Sequence, residues 1–199
     1  MGFKMMRLAG QGLKRLGLIV LSWGLMACTP GYDWRQVHAG EDALSYLLPC
    51  RPANAQKEVD WGGGPQVLSM QGCETQGVQF TLAWLSVPAK ADVEAMERVW
   101  QRASWAALNG SKDSSASAEL SALNPAPAMK LANGLAWRAR FEGQNTQGLH
   151  AHWLWFVKED KLYQAGIYHQ GEALERAGKG SPSAMNLDEV LETYFESFR

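Results

Sequence analysis

Residues 149–157 and 161–169 constrain this chain more than any other feature of it. Both runs are dominated by aliphatic and aromatic side chains, and only Lys158, Glu159 and Asp160 separate them. A polar two-residue turn at Glu159-Asp160 makes the runs an antiparallel hairpin. Lys158 then faces Lys161, and His150 lies opposite His169. Because side chains alternate across a strand, His152 falls on the same sheet face as both. A chain committed to this hairpin has to build an antiparallel sheet around it and cover the apolar faces.

The remaining segments supply that sheet. Leu44, Tyr46 and Leu48 alternate with their neighbours before Pro49 stops the run, which predicts a strand over 44–48. Residues 51–65 are polar and end in Gly62-Gly63-Gly64-Pro65, which reads as a loop. Residues 66–73 and 78–87 form a hairpin over Glu74-Thr75-Gln76-Gly77. Asp92 caps a helix reaching about Leu108, with Val93, Met96, Trp100, Ala103 and Ala107 at helical spacing on one face. Gly110 ends it, and residues 112–118 are a Ser-rich connection. Strands over 129–132 and 135–142 flank a turn at Asn133-Gly134. Residues 170–185 read as a loop. A last helix starts at Asn186, with Glu189 as its capping-box partner and Val190, Leu191, Tyr194, Phe195 and Phe198 as a stripe that docks on the sheet. The order β-β-β-α-β-β-β-β-α describes an α+β domain over 41–199: one antiparallel sheet with two packed helices and no second domain.

The first 27 residues stand apart. They hold Lys4, Arg7, Lys14 and Arg15 and no acid, so the net charge falls from −1 for the whole chain to −5 for the rest. That balance gives no basic footprint for nucleic acid. The apolar run over 16–27 is shorter than the roughly 20 residues of a membrane-spanning helix and suits the core of a signal peptide. It ends Leu25-Met26-Ala27-Cys28. Leu at −3, Ala at −1 and Cys at +1 resemble the lipobox of bacterial lipoproteins, whichever of Met1, Met5 or Met6 begins translation. The resemblance implies cleavage before Cys28, lipidation of that residue, a tether over 28–40 and anchorage in the cell envelope. Thr29 in place of Asp points to the outer membrane, facing the periplasm. Export in turn implies an oxidising compartment, where Cys50 and Cys73, at the ends of neighbouring predicted strands, pair as a disulfide. They make no C-x-x-C of the redox-active kind.

A second resemblance rests on element order. An opening strand bearing Leu44–Leu48, a hairpin, a long helix, a strand meander over 134–169 and a closing helix ending Tyr194-Phe195-Glu196-Ser197-Phe198 look like the PsbP-like α/β/α sandwich family. It covers about residues 40–199 and carries no catalytic or metal-binding residue onto a matching position. The family includes small exported lipoproteins and photosystem assembly factors.

The sequence has no H-E-x-x-H, G-x-S-x-G or G-x-G-x-x-G motif. Gly178-Lys179-Gly180-Ser181 lacks the spacing of a phosphate loop and reads as a basic loop. With Cys28 lipidated and Cys50 bridged to Cys73, no thiol remains as a nucleophile. Two clusters are left. His150, His152 and His169 share a face and could hold zinc or copper, or sit among core-like Leu154, Phe156 and Ile167 as strand-end histidines. Pairing 135–142 with 149–155 across 143–148 sets Arg138 against Trp153 and Arg140 against Ala151. Arg138, Arg140, Trp153 and Trp155 then make an arginine–indole face that binds a glycan or protein if no helix covers it. The leading reading is a lipid-anchored binding or scaffolding module without catalysis or cofactor, its partners the membrane and an envelope protein or glycan. The alternatives are an envelope enzyme or metal protein using the histidines, and a small-ligand carrier with a pocket of Trp84, Trp100, Trp105 and Trp137.

Overall fold

The computed structural model describes residues 31–40, 44–60, 64–110, 137–171 and 186–199, with the backbone alone for 137–141. The elements are β1 (Arg35–His38), β2 (Ser45–Leu48), β3 (Ala53–Asp60), β4 (Pro65–Thr75), β5 (Val78–Ser86), α1 (Val93–Leu108), β6 (Trp137–Gln144), β7 (Leu149–Lys158), β8 (Lys161–Gln170) and α2 (Leu187–Phe195). Among the described residues the six strands after β2 form one sheet, ordered β3-β4-β5-β8-β7-β6, and β1 and β2 pair separately. Every pairing is antiparallel. The class is α+β, as the sequence implies.

The middle strands β5, β7 and β8 are buried on both faces. Phe80, Leu82, Leu154, Phe156, Ala165 and Ile167 form one core with α2 and with Leu44, Tyr46 and Leu48 of the small sheet. Ala83, Leu85, Trp153, Trp155 and Leu162 form the second core beneath Trp100 and Leu108 of α1. The sheet therefore lies between α1 on one side and α2 with β1–β2 on the other.

Capping follows the expected chemistry. Asp92 accepts a hydrogen bond from the Ala95 amide at 2.9 Å, and Asn186 and Glu189 close a reciprocal capping box. The closing helix docks as its stripe predicts. Val190, Tyr194, Phe195 and Phe198 are fully buried, and Arg199 exchanges backbone hydrogen bonds with Ser45 at 2.9 and 3.0 Å. The face of α1 is rotated from the expected one: Glu97, Trp100, Ala106 and Leu108 are buried, and Ala107 is exposed.

Cys50 and Cys73 are joined by a disulfide with Cα atoms 5.9 Å apart. It ties the end of β2 to β4.

Three expectations are corrected. Residues 35–38, read as tether, form β1, and residues 53–60, read as loop, form β3. β3 is polar on both faces, so no hydrophobic alternation marks it; it stands as an edge strand held by its ladder to β4. The third concerns the β6–β7 register. Gly143 and Gln144 lie in the strand, not the turn, and Arg140 pairs with Leu154 while Phe141 pairs with Trp153. The turn begins at Asn145, whose Oδ1 accepts from the amides of Gln147 and Leu149 at 2.9 Å each. Its Nδ2 donates to the Leu108 carbonyl at the end of α1 at 3.0 Å. Gly143 is a strand residue because α1 presses on it: a Cβ there would lie 2.5 Å from the Trp105 ring. The predicted strand over 129–132, the turn at Asn133-Gly134 and the Ser-rich connection lie outside the described residues.

Candidate functional site

The expected arginine–indole face is not a surface. Trp153 and Trp155 are each 1% exposed, beneath α1. The Trp153 indole N–H donates to the Tyr168 hydroxyl at 2.9 Å, and Gln164 donates to Ser104 of α1 at 2.6 Å. Arg138 falls at the register shift of β6, and Arg140 takes a position in the Leu154 row rather than the Ala151 row. The turn at Asn145 moves both away from the rows expected of them.

The four-tryptophan pocket is likewise not formed. Trp84 packs against the core on the α2 side, whereas Trp100 and Trp105 belong to the core under α1. The sheet stands between them.

The histidines do converge. The β7–β8 hairpin keeps its expected register, with His150 opposite His169. These two rings are 5.0 Å apart and within 2° of parallel. His152 and His169 face each other through their Nε2 atoms at 3.2 Å. His152 Nδ1 lies 3.3 Å from Glu142 Oε1, and His169 Nδ1 lies 3.4 Å from the Gln170 carbonyl. His169 Nδ1 can donate to the Gln170 carbonyl, and one of the two facing Nε2 atoms has to donate to the other. Burial holds the His169 imidazole down at about 4; the Gln170 hydrogen bond opposes this, and charge on His152 or His150 reinforces it. Among the described residues no group of three or more His, Cys, Asp or Glu side chains is arranged to hold a metal ion.

A groove of about 550 Å³ opens elsewhere, on the α2 side of the sheet at its β3 edge. The strand ladders place two rows there: Asn54, Gln71 and Leu82 in one, Gln56, Ser69 and Trp84 in the next. His38 and Gly40, at the end of β1, form the wall beside Trp84. Gly40 has φ +60°, and a Cβ on it would lie 3.2 Å from the Trp84 ring, so glycine lets the backbone sit directly against the indole.

The polar side chains of the groove are oriented from beneath. The Tyr46 hydroxyl, buried and held well above its ordinary pKa by that burial, stays a neutral donor. It donates to Gln71 Oε1 at 2.6 Å. That contact fixes the Gln71 amide, whose Nε2 donates to Asn54 Oδ1 at 3.0 Å. With Oδ1 accepting from Gln71, the Asn54 NH₂ group is the donor end of the chain. In the adjacent row Gln56 donates to Ser69 Oγ at 3.3 Å, which leaves the Ser69 hydroxyl proton available as a donor. Among the described residues the lining contains no Lys, Arg, Asp or Glu. Sequence reasoning missed this groove because it hinges on β3, which has no apolar pattern; the alternation of Asn54 with Gln56 and of Ser69 with Gln71 was the only signal. Cys28 and the loop of Gly178 to Ser181 lie outside the described residues.

Comparison with known proteins finds no matching family, no matching curated protein and no matching solved structure.

Proposed function

We propose that this chain is a lipid-anchored protein of the bacterial envelope whose folded domain acts as a non-catalytic binding module facing the periplasm. The anchor rests on the lipobox-like Leu25-Met26-Ala27-Cys28 and the acid-free basic segment before it. The Cys50–Cys73 disulfide accords with an oxidising compartment. Binding rests on one observation above the others: a groove whose amides are pre-oriented by the buried Tyr46 hydroxyl and whose side is an indole. Concave sites that combine an apolar wall with a few fixed polar groups are where proteins bind partners. We take the three-layer arrangement of α1, sheet and α2 as that of a PsbP-like α/β/α sandwich.

The two halves are tested separately. Labelled palmitate should enter the native protein and not Cys28→Ser, which should accumulate as precursor; normal processing of that variant would refute the anchor. A photo-reactive residue in place of Gln56, exposed at the groove, should give envelope adducts in cells, and no adduct would refute the module.

A further inference from the structure

We propose that the groove beside Trp84 is a binding site for a neutral saccharide. This deepens the binding-module reading and rests on it.

Four properties point to this ligand. Among the described residues the lining holds no Lys, Arg, Asp or Glu, so none of them compensates an anionic or cationic ligand, whose desolvation would go unrewarded. The polar groups are amides and a hydroxyl, which both donate and accept; a ring of sugar hydroxyls makes the same double demand. Trp84 is partly exposed and offers an indole beside those amides. The electron-rich face of an indole attracts the polarised C–H face of a pyranose, so one ligand uses both parts of the groove. A volume of about 550 Å³ is enough for a ligand of one or two sugar rings. The hydrogen-bond chain from Tyr46 through Gln71 to Asn54 also removes much of the ordering cost, because two of the amides are already fixed.

The chain makes a directional demand. Asn54 Oδ1 is occupied by Gln71, so its NH₂ group has to donate to a ligand oxygen. Asn54→Asp keeps the shape and the bond from Gln71 but turns the donor into an acceptor.

The full-length protein in detergent would be applied to an array of neutral and anionic oligosaccharides. The expected result is binding to neutral saccharides over anionic ones. Asn54→Asp should weaken it about five- to tenfold, the worth of one hydrogen bond. Trp84→Ala should weaken it more than tenfold. Asn54 is exposed on an edge strand, so its variant should melt with the native protein even if Trp84→Ala does not. Arg98→Ala, exposed on α1, should bind as the native protein does. No signal on neutral saccharides, a preference for anionic ones, or unchanged binding by Asn54→Asp would overturn the proposal. Envelope adducts from position 56 without saccharide binding would overturn the sugar assignment and leave the binding module standing; absence of both would overturn both.

Discussion

Phe198, one residue from the end of the chain, should be among the most costly side chains to remove. It is fully buried. Its ring lies 5.3 Å from that of Tyr46, nearly parallel to it, 5.2 Å from Phe156 and 5.3 Å from Tyr194. Phe198→Ala loses the transfer free energy of a buried ring, about 2–3 kcal/mol. It also loses aromatic contacts worth about 0.5–1.5 kcal/mol each where they are well formed. Partial collapse of the chain end into the cavity recovers some of this, so a total of about 3–5 kcal/mol is expected, as for other Phe→Ala changes in cores. For a domain of this size that is roughly a 10 °C fall in melting temperature. Arg199→Ala is the control: the Arg199 side chain is exposed, and it is the backbone that bonds to Ser45. The assay is thermal unfolding followed by circular dichroism. A fall of less than 2 °C for Phe198→Ala would mean that the chain end frays as most ends do, and the docking of α2 would be refuted.

Thiol labelling of the denatured, unreduced protein should leave Cys50 and Cys73 unmodified, and reduction should cost roughly 3 kcal/mol, the loop-closure value for a separation of 23 residues; two labelled thiols before reduction would contradict the bridge. Gly143→Ala should destabilise by about 1–3 kcal/mol by overpacking against Trp105, which equilibrium denaturation would read; a neutral effect would displace α1 from its seat. His169 binds its proton more weakly when folded, at about 4, than an ordinary imidazole does, at 6.5. The unfolded chain thus takes up more protons between those values, and stability should be complete above about pH 7 and fall as pH drops from 6.5 towards 4, by up to about 3 kcal/mol. His169→Gln should flatten that slope in denaturation curves taken across the range; an unchanged slope would refute His169 as its source.

What could be read in advance followed from burial. β7 and β8 are buried on both faces, so their sequences are largely apolar, and the polar Glu159-Asp160 turn between them set their register. The capping residues Asp92 and Asn186 announced both helices. β3 was hidden because Ala53–Asp60 is exposed on both faces and is a strand only through its ladder to β4. Gly143 misled for a related reason: glycine signals a turn locally, but here it is required by a helix distant in sequence. That one displacement moved Arg138 and Arg140 out of the rows of Trp153 and Ala151. The candidate site was correspondingly illegible. Trp84 stood out as an aromatic, but its neighbours Asn54 and Gln56 came from a strand that local pattern did not reveal. Tyr46, which orients Asn54 through Gln71, read only as core.

The central claim is that the groove beside Trp84 is where the anchored domain meets its partner. It is tested most directly by placing a photo-reactive amino acid, one position at a time, at Gln56 in the groove and at Arg98 on the outer face of α1, in the full-length protein in living cells. Both residues are exposed, so neither substitution should disturb the fold. After irradiation and detergent extraction, adducts of the protein would be quantified on gels and identified by mass spectrometry. The account predicts a discrete adduct from position 56 that disappears with Trp84→Ala and is absent from position 98. Equal adducts from both positions, or none from position 56, would contradict it.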